Sequence, residues 1–352
     1  MKILVIQQKM IGDVLTSSIL FEALREKYPN VQLDYLINSH TFPVVENNPF
    51  ITNFIHFSPE VEKSKRKLFK LAKSIKKNKY DVVIDVYSKL SSNIITLFSG
   101  AKTKISYHKS YTTFVYTHNI KRLTSTSNPA GLAIVNRLQL LEPLGIDIEN
   151  IKPKIYITQQ EKETSKAFLK SYNIDFKKPL FMISVLGSGE NKTYPFHHMA
   201  KVIDLIVSQT QGQILFNYIP KQEPEAKAIF DLCKTNTQNH IYFNVYGKSL
   251  RDFLAITTHC NALIGNEGGA VNMAKALNIK TFTIFSPWID KDTWSIFEDD
   301  SKNVSVHLKD YKPDLYANKT EKEMKPQAMS LYQEFNPDFF EKQLVSFLKH
   351  IY

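Results

Sequence analysis

One stretch of the sequence, residues 262–277, limits the possible folds more than any other. It opens with the apolar run Ala262 to Ile264 and continues with apolar residues at helical spacing, and a turn with three glycines separates the two parts. This order is typical of a buried strand that leads into a helix, the unit from which parallel α/β sheets are built. The N–H groups at such a helix start attract phosphate, and Gly268 and Gly269 let a ligand come close to the backbone. The alternative is an ordinary helix start in which the glycines only shape the turn.

The same alternation of strand and helix recurs along the whole chain. Apolar runs that suit buried parallel strands occupy residues 3–6, 32–37, 51–57, 80–86, 180–185, 213–218, 241–245, 262–264 and 280–285. Helical stretches separate these runs, which indicates doubly wound parallel sheets. We therefore predict an N-terminal domain at 1–158, a C-terminal domain at 159–334 and a final amphipathic helix at 335–352 that packs at the domain junction.

The charge of the chain indicates an acidic partner. The 352 residues carry a formal net charge of +11, and the isoelectric point is near 9.3. A basic protein of this kind suits nucleic acid, an anionic membrane surface or a phosphorylated substrate. No aromatic RNA-binding stretch and no zinc-finger spacing is present in the sequence, which favours membrane or phosphate over nucleic acid.

Cysteine and hydropathy patterns predict a cytoplasmic location. Cys233 and Cys260 provide neither a disulfide framework nor zinc spacing, and no apolar run approaches the ~20 residues that span a bilayer. The first residues predict a strand rather than a signal peptide. Asp290 and Asp292 form an Asp-x-Asp pair in a polar loop, which we interpret as solvated rather than as a metal site. We expect no metal and no organic cofactor.

Two segments of the N-terminal half concentrate cations. Residues 63–79 predict a helix with nine lysines and arginines and one narrow apolar stripe. Such a helix can lie on an anionic membrane, or it can be the solvated outer helix of a basic protein, which is the interpretation we prefer for it. Residues 102–122 mix cations with aromatic residues, a combination that suits phosphate or carboxylate together with sugar rings or acyl chains. The alternative for this second segment is an irregular surface segment.

Four motifs resemble the heptosyltransferase family, glycosyltransferase family 9. They are the turn Gly12-Asp13 after the first strand, the run from Asn136-Arg137-Leu138 to Leu144-Gly145-Ile146, the Lys-x-Tyr-Pro motif at 192–195, and the stretch from Glu267 to Leu277. The resemblance covers nearly the whole chain and implies the GT-B fold, in which two doubly wound Rossmann-like domains face a central cleft. It also implies an inverting, metal-independent transfer of heptose from ADP-heptose to a lipopolysaccharide inner-core acceptor, an acidic lipid-linked saccharide. The location that it implies is cytoplasmic, peripheral to the inner membrane.

The resemblance assigns roles to individual residues. Asp13 is implied as the general base for the acceptor hydroxyl, and it follows the first strand, where parallel sheets bind ligands; its alternative role is a helix N-cap. Lys192 is expected to neutralise the departing diphosphate, unless it is an ordinary surface lysine. The predicted donor-binding residues are Ser188, Gly189, Tyr218, Asn266, Glu267, Gly268, Gly269, Asn272 and Ser286. The predicted acceptor-binding residues are Lys9, Lys102, Lys104, Lys109 and Arg122.

The sequence departs from the family pattern mainly on the donor side. Glu267 stands where the family has Asp, Asn272 where it has His, and Tyr194 where it has Trp. A carboxylate beside a diphosphate would repel it, so Glu267 is expected to accept hydrogen bonds from sugar hydroxyls.

These departures keep two further hypotheses open. One is a transferase of the same fold that uses another nucleotide sugar for a cell-envelope glycan. The other is a catalytically weak protein that binds an anionic membrane, against which the intact Asp13 and Lys192 argue. A nicotinamide-dependent oxidoreductase is disfavoured, because the turn after the first strand lacks Gly-x-Gly-x-x-Gly.

Overall fold

The structure, a computed structural model, describes residues 1–147, 150–317 and 319–351. The chain divides into two compact units, Met1–Tyr156 and Ile157–Tyr352. The predicted boundary after residue 158 lies two residues beyond this division. Each unit is built on one parallel sheet with helices between its strands, which confirms the predicted α/β class.

The first unit contains a six-stranded sheet with the order β3-β2-β1-β4-β5-β6. Its strands are β1 (Lys2–Ile6), β2 (Gln32–Asn38), β3 (Asn53–Phe57), β4 (Val82–Asp85), β5 (Thr103–Tyr107) and β6 (His118–Ile120). Residues 3–6 of β1 are fully buried, as expected for the central strand of a sheet that is covered on both faces. The chain winds from β1 to one side of the sheet and from β4 to the other, so the topological switch point lies between β1 and β4. Sheets of this kind bind ligands beyond the carboxyl ends of the strands at that point.

Helices connect these strands. They are α1 (Ile11–Ser17), α2 (Ile19–Lys27), α3 (Pro59–Lys63), α4 (Lys65–Lys77), α5 (Leu90–Phe98) and α6 (Leu132–Leu138), with short 3-10 segments at Ser39–Val44, Ser110–Val115 and Gln139–Leu144. In α4 the side chains of Ala72 and Ile75 belong to the apolar core, with Leu68 and Leu71 packed against it. The motif that begins at Asn136 is α-helical only as far as Leu138 and continues as the 3-10 segment Gln139–Leu144.

The second unit contains a five-stranded sheet with the order β11-β10-β9-β7-β8. Its strands are β7 (Leu180–Ser184), β8 (Gln213–Phe216), β9 (Ala262–Asn266), β10 (Lys280–Ile284) and β11 (Asn303–Val306). The winding reverses between β7 and β9, which are neighbours in the sheet. The turn at 264–269, singled out from the sequence, therefore follows a strand at the switch point of this sheet.

The helices of the second unit are numerous and several are short. They are α7 (Gln159–Ser171), α8 (Phe196–Thr210), α9 (Glu223–Leu232), α10 (Thr235–Gln238), α11 (Leu250–Thr257), α12 (Gly269–Ala276), α13 (Lys291–Trp294), α14 (Glu321–Met324), α15 (Ala328–Glu334) and α16 (Glu341–Lys349). Short 3-10 segments lie at Glu190–Lys192, Pro220–Gln222, Leu308–Asp310, Pro313–Tyr316, Lys325–Gln327 and Pro337–Phe339. The final helix, α16, buries Leu344, Phe347 and Leu348 in the apolar core of this unit. The ring of Phe347 lies 5.6 Å from that of Phe282 in β10.

Sequence periodicity assigned several short segments incorrectly. Residues 241–245, predicted as a strand, contribute only an isolated bridge from Ile241 to Ile214 before the chain turns. The strands β5, β6 and β11 are not predicted, because each is short and contains polar residues, so that no apolar run identifies it. Among the described residues, no helix is both long and apolar enough to cross a bilayer.

Candidate functional site

Asp13 lies beyond the carboxyl end of β1, in the first turn of α1. Its side chain is 30% exposed, and its Oδ1 accepts a hydrogen bond of 2.7 Å from Nη2 of Arg137. The other carboxylate oxygen, Oδ2, has one long contact of 3.4 Å with the backbone N–H of Met10. One oxygen of Asp13 is thus held firmly, whereas the second has room for another partner.

Arg137 orients Asp13 and was given no role in the sequence analysis. Its side chain is only 9% exposed. Besides Asp13, the guanidinium donates to Ser17 Oγ at 3.0 Å and to the Ala133 carbonyl at 2.7 Å. A planar guanidinium with several fixed partners cannot rotate away, so it fixes the carboxylate that it binds. The sequence contained a signal for this residue, because Arg137 belongs to one of the four motifs, but no local pattern indicated its partner 124 residues away.

Asp13 does not occupy the helix N-cap position, which was its alternative role. The N-cap of α1 is Met10, and Asp13 is the third residue of the helix. A carboxylate in the first turn still interacts favourably with the helix dipole, but the 3.4 Å contact with Met10 N is a weak cap.

Three of the predicted acceptor cations lie at the same edge of the first sheet as Asp13. Lys9 follows β1, Lys109 follows β5, and Arg122 follows β6. Lys102 and Lys104, by contrast, lie at the amino end of β5, which begins at Thr103. At about 3.3 Å per residue, Lys104 is about 10 Å along the strand from its carboxyl end. Lys102 and Lys104 therefore lie toward the edge of the sheet opposite to the one where such folds bind ligands, and this placement gives the prediction for them no support.

The cations at the carboxyl edge are positioned by neighbouring groups. The Lys109 ammonium donates to the carbonyl of Ser88, and its pKa is lowered by partial burial and by the charges of Lys89 and Arg122. The guanidinium of Arg122 lies 3.8 Å from the ring centroid of Tyr107. Three positive charges thus lie near one another, an arrangement that an anionic group would stabilise.

Lys9 differs from these cations because it has an acidic partner. Its ammonium forms an ion pair with Glu62, and the hydrogen bond to that carboxylate raises the pKa of Lys9. An anionic ligand at Lys9 would therefore compete with Glu62.

A buried acidic residue supports the loop after β4. Asp85 is fully buried, and its carboxylate accepts hydrogen bonds from Tyr116 Oη at 2.6 Å and from the Ser88 N–H at 2.8 Å. Burial raises the pKa of Asp85, while these hydrogen bonds oppose the rise. Through Ser88, the buried carboxylate of Asp85 thus holds the loop that carries Lys89.

In the second unit, the loop of residues 187–194 between β7 and α8 carries Ser188, Gly189 and Lys192. Ser188 and Gly189 are exposed. Gly187 lies so close to the end of the loop that a Cβ there would come within 2.0 Å of the Lys192 carbonyl oxygen. The N–H of Gly187 donates to Thr193 Oγ1 at 3.1 Å, and that hydroxyl donates to the Gly189 carbonyl at 2.9 Å. The loop is therefore a compact, internally bonded turn.

Two buried polar side chains fasten this loop to the sheet. Asn266, at the end of β9, accepts from the Tyr194 N–H at 2.7 Å and donates to the Ser184 carbonyl at 2.9 Å. Ser286, after β10, donates to the Asn191 carbonyl at 2.8 Å. Both side chains are completely buried.

Asn266, Ser286 and Tyr218 were predicted to contact the donor, but their side chains are buried and hydrogen-bonded within the protein. Tyr218 is 4% exposed, donates its hydroxyl to the Phe243 carbonyl at 3.0 Å and stacks on the Phe243 ring. All three lie in the interior rather than on the surface that a ligand reaches. Sequence position after a strand indicates the end of the sheet at which a residue lies, but it could not separate side chains that face outward from those that support the loop.

Glu267 and Lys192 form an ion pair at the start of the turn after β9. Lys192 Nζ lies 3.3 Å from Glu267 Oε1, and the exposed fractions of the two side chains are 29% and 9%. Burial raises the pKa of Glu267, and the Lys192 charge opposes this rise. Lys192 Nζ also lies 5.6 Å from the centroid of the Trp288 ring. The ammonium is thus held over the turn while part of it stays open to solvent.

The turn ends at the N-terminus of α12. Gly268, the N-cap, has φ of 142° and Gly269 begins the helix. A Cβ at Gly268 would meet no atom within 4 Å, so the glycine is required by its backbone conformation, which L side chains rarely adopt, and the space above it is open. Asn272 lies in the first turn of α12 and is partly exposed. The N–H groups of this turn form a typical site for a phosphate.

Tyr194, which stands where the family motif has Trp, is fully buried, and its hydroxyl donates to the Phe335 carbonyl. It is a core residue that anchors the end of the loop. No group of three or more His, Cys, Asp or Glu side chains could hold a metal ion, as far as the described residues go.

Comparisons with known proteins agree on one family. The sequence model of glycosyltransferase family 9 (heptosyltransferase) matches residues 68–325. The chain is 24% identical over 299 residues to lipooligosaccharide heptosyltransferase 2 from Haemophilus influenzae (strain ATCC 51907 / DSM 11121 / KW20 / Rd), with 82% of this chain and 84% of that protein covered.

Solved structures show the same fold. The glycosyl transferase family 9 protein from Veillonella parvula DSM 2008 superposes with a TM-score of 0.75 at 18% identity, covering 95% of this chain and 97% of that chain. E. coli ADP-heptose lps heptosyltransferase II superposes with a TM-score of 0.67 at 16% identity, covering 95% and 99% of the two chains. These likenesses confirm the predicted GT-B fold class.

Proposed function

The chain belongs to glycosyltransferase family 9, and from this premise we propose that it transfers heptose from ADP-heptose to an inner-core acceptor of lipopolysaccharide, with inversion and without a metal ion. Family membership makes the protein a glycosyltransferase. The observation that supports this mechanism is the carboxylate of Asp13 beyond the end of β1. Arg137 holds its Oδ1, while the side chain remains 30% exposed.

Asp13 is the general base of this proposal. The acceptor hydroxyl oxygen attacks the anomeric carbon, the bond from that carbon to the diphosphate breaks, and the hydroxyl proton passes to Asp13 Oδ2. Arg137 occupies Oδ1 at 2.7 Å and so presents Oδ2 to the acceptor. A base held in one orientation is effective because proton transfer requires hydrogen-bond geometry.

Lys192 stabilises the leaving diphosphate together with the N-terminus of α12. Its ammonium is 29% exposed and stands beside the glycine turn. A fixed cation and free N–H groups stabilise charge that develops on a phosphate as the bond breaks. Ser188 and Gly189, both exposed, contribute a hydroxyl and an approachable backbone to the same ligand, and Glu267 is the acceptor for sugar hydroxyls.

Lys109, Arg122 and Lys9 bind acidic groups of the acceptor. They lie at the carboxyl edge of the first sheet, as does Asp13, and their charges suit the phosphate or carboxylate groups of an acidic saccharide. The proposal thus keeps three of the five predicted acceptor-binding cations and leaves out Lys102 and Lys104.

The basic helix α4 holds the enzyme on the anionic membrane that carries a lipid-linked acceptor. Its lysines and arginines are exposed and form no ion pair with the carboxylates of the described chain. Two exposed rings accompany them, Phe69 at 51% and Phe98 at 47%, with centroids 5.8 Å apart. Exposed aromatic rings among cations suit a headgroup boundary better than a merely solvated face. Replacing Lys70, Lys73, Lys76 and Lys77 with Gln should abolish sedimentation with phosphatidylglycerol vesicles at low salt, and unchanged sedimentation would leave the helix solvated.

One observation favours an alternative identity for the nucleotide-sugar donor. Asn272 replaces the His of the family motif in the first turn of α12, where it remains partly exposed and available to a ligand. A neutral amide cannot carry the charge of a protonated imidazole, so the sugar contacts differ at this position. The alternative is therefore a transferase of the same mechanism that uses a different nucleotide sugar.

The test has two stages. A thermal-shift screen with ADP, UDP, GDP and CMP identifies the nucleotide, because a ligand that binds only the folded protein must raise its melting temperature. Transfer from the matching nucleotide-heptose to a lipopolysaccharide inner-core acceptor is then followed by mass spectrometry, with and without chelator. A response to ADP with heptose transfer that survives the chelator supports the proposal. A response to UDP alone would move the donor to the alternative, and absence of transfer from any nucleotide sugar would overturn the function.

A further inference from the structure

A pocket that the proposed mechanism does not use lies beyond the carboxyl ends of β10 and β11 in the second unit. Its volume is about 680 Å³, which is within the range of small-molecule sites. It is lined by the loop at 287–294 and by side chains from residues 307–324, among them Trp288, Trp294, His307 and Tyr316. Lys192 and the nine predicted donor-binding residues are absent from this lining, and Trp288, which belongs to it, has its ring centroid 5.6 Å from Lys192 Nζ.

Both tryptophans of the chain line this pocket. Trp288 is held in place by contacts within the protein. Its Nε1 donates to the Asn191 carbonyl at 2.9 Å, and the ammonium groups of Lys192 and Lys325 lie over its ring. Trp294 is 45% exposed and stacks on no other ring of the described chain. A large apolar face left in water is costly to the free protein, and the C–H face of a sugar ring would cover it.

One polar group in the lining lacks a partner. The hydroxyl of Tyr316 is buried without a hydrogen-bond partner in the described residues. His307, whose ring lies 5.3 Å from that of Tyr316, is already held, because its Nδ1 accepts from the Lys309 N–H at 3.0 Å and its imidazole is hydrogen-bonded by the backbone of Ser286 and Ile289. A buried hydroxyl is normally satisfied. A ligand hydroxyl, directly or through a water molecule, would satisfy that of Tyr316.

The charges of the lining decide between classes of ligand. Four carboxylates (Asp290, Asp292, Asp310, Glu321) face three ammonium groups (Lys291, Lys309, Lys319). Two of these groups already pair, with Lys291 Nζ at 2.6 Å from Asp310 Oδ2. Such a lining does not select an anion, and its carboxylates would repel a diphosphate. Carboxylates, amines and an aromatic face together suit the hydroxyls and C–H faces of an uncharged sugar.

We propose that this pocket binds a neutral saccharide, which stacks on Trp294 and receives a hydrogen bond from the Tyr316 hydroxyl. The site is separate from the donor site, and its occupancy does not depend on which nucleotide sugar the enzyme uses. The Asp-x-Asp pair at 290 and 292 then has a role in accepting hydrogen bonds from sugar hydroxyls rather than in binding a metal.

Intrinsic fluorescence provides a direct readout, because both tryptophans of the chain belong to the pocket. The full chain is titrated with glucose, galactose, N-acetylglucosamine and lactose, each with and without saturating ADP. We expect a saturable fluorescence change with at least one of these sugars that ADP does not displace. No saturable change with any of them would overturn the proposal. Displacement by ADP, or tighter binding of glucose 6-phosphate than of glucose, would overturn it as well.

Variants locate the binding. Trp294→Ala should weaken the sugar affinity about tenfold by calorimetry, and Tyr316→Phe, which removes only the hydroxyl, should weaken it several-fold. Tyr172→Ala, which removes another exposed aromatic side chain of the second unit, should leave the affinity unchanged. All three should keep the thermal shift with whichever nucleotide stabilises the wild type, which separates loss of this pocket from loss of the donor site. Equal sugar affinity in wild type and Trp294→Ala would contradict the proposal.

Discussion

The Asp13–Arg137 ion pair of the first unit and the Lys192–Glu267 ion pair of the second unit are exposed in opposite ways. In the first pair the carboxylate is the more exposed partner, with 30% of the Asp13 side chain exposed against 9% of the Arg137 side chain. In the second pair the cation is the more exposed partner, with 29% of the Lys192 side chain exposed against 9% of the Glu267 side chain. The more buried member of each pair holds the other in position, and the more exposed member has the greater access to a substrate. In the proposed mechanism the first site therefore offers a group that accepts a proton, and the second offers a charge that stabilises a phosphate.

The largest effect is expected from Asp13→Asn. The amide keeps the shape of the side chain and can still accept from Arg137, but it cannot take the proton of an acceptor hydroxyl. We expect turnover to fall by about 10²–10⁴ while the thermal shift with nucleotide is retained. Steady-state turnover at saturating donor measures the effect.

The matched control is Asp81→Asn, at the other end of the first sheet, where the carboxylate accepts from the Lys2 N–H at 2.7 Å. This variant should keep wild-type turnover. If Asp13→Asn retained activity within a few-fold of wild type, Asp13 would be as structural as Asp81.

Lys192→Ala removes the open cation of the second site. One lost charge on the leaving diphosphate is expected to lower kcat/KM by about 10². The measurement is initial transfer rate against donor concentration. Kinetics equal to those of the wild type would make Lys192 a surface residue whose partner is only Glu267.

The same variant should also change stability, which an ordinary surface lysine would not do. Removal of Lys192 leaves the buried carboxylate of Glu267 without its cation, so the raised pKa of Glu267 rises further. A carboxyl that binds its proton more tightly when folded makes the free energy of unfolding fall as pH rises from the unfolded pKa through the folded one. The melting temperature of Lys192→Ala should thus drop more steeply above about pH 4.5 than that of the wild type.

A double variant checks the cause of that drop. Lys192→Ala combined with Glu267→Gln has no buried charge left to titrate, so its melting temperature should follow the wild type across the same pH range. A steep drop in the double variant would assign the pH dependence to another group.

Arg137→Lys tests the buried member of the first pair. A lysine keeps the charge but cannot contact Asp13, Ser17 and Ala133 at once. We expect kcat to fall by about tenfold, with the donor KM unchanged, because Asp13 is less well oriented. Arg25→Lys is the control, since Arg25 also donates to several carbonyls of the first unit, including Pro29 and Val31. Equal loss of kcat in both variants would show a general effect of stability instead of positioning.

The smallest effect is expected from Glu267→Asp. Its carboxylate withdraws by about one methylene from Lys192 and from the sugar hydroxyls that it is proposed to bind. A site built on such hydrogen bonds discriminates among sugars by position, so the ratio of kcat/KM for two nucleotide sugars should change several-fold. The same proportional loss with every donor would remove Glu267 from sugar recognition.

The sequence predicted the fold class and the central strands because apolar runs such as residues 3–6 and 180–185 identify strands buried on both faces. It placed Asp13, Lys192 and Glu267 beyond the carboxyl ends of strands, and the structure has them after β1, β7 and β9. It missed β11 and Arg137 for one physical reason: a short edge strand and a contact across 124 residues leave no local pattern. It also could not separate Asn266, whose amide is buried, from Glu267 beside it, because side-chain direction at a strand end depends on tertiary packing.

The loop between β7 and α8 is tied down by Asn266 at Tyr194 and by Ser286 at Asn191. Its shape is set by the protein itself, so a ligand that bound to it would spend little binding energy on ordering it. For protein engineering, the loop is a template: position 187 must remain glycine, because a Cβ would lie 2.0 Å from a carbonyl oxygen. The outward positions 188 and 189, whose added atoms meet solvent, can be varied to accommodate a different sugar without redesigning the backbone.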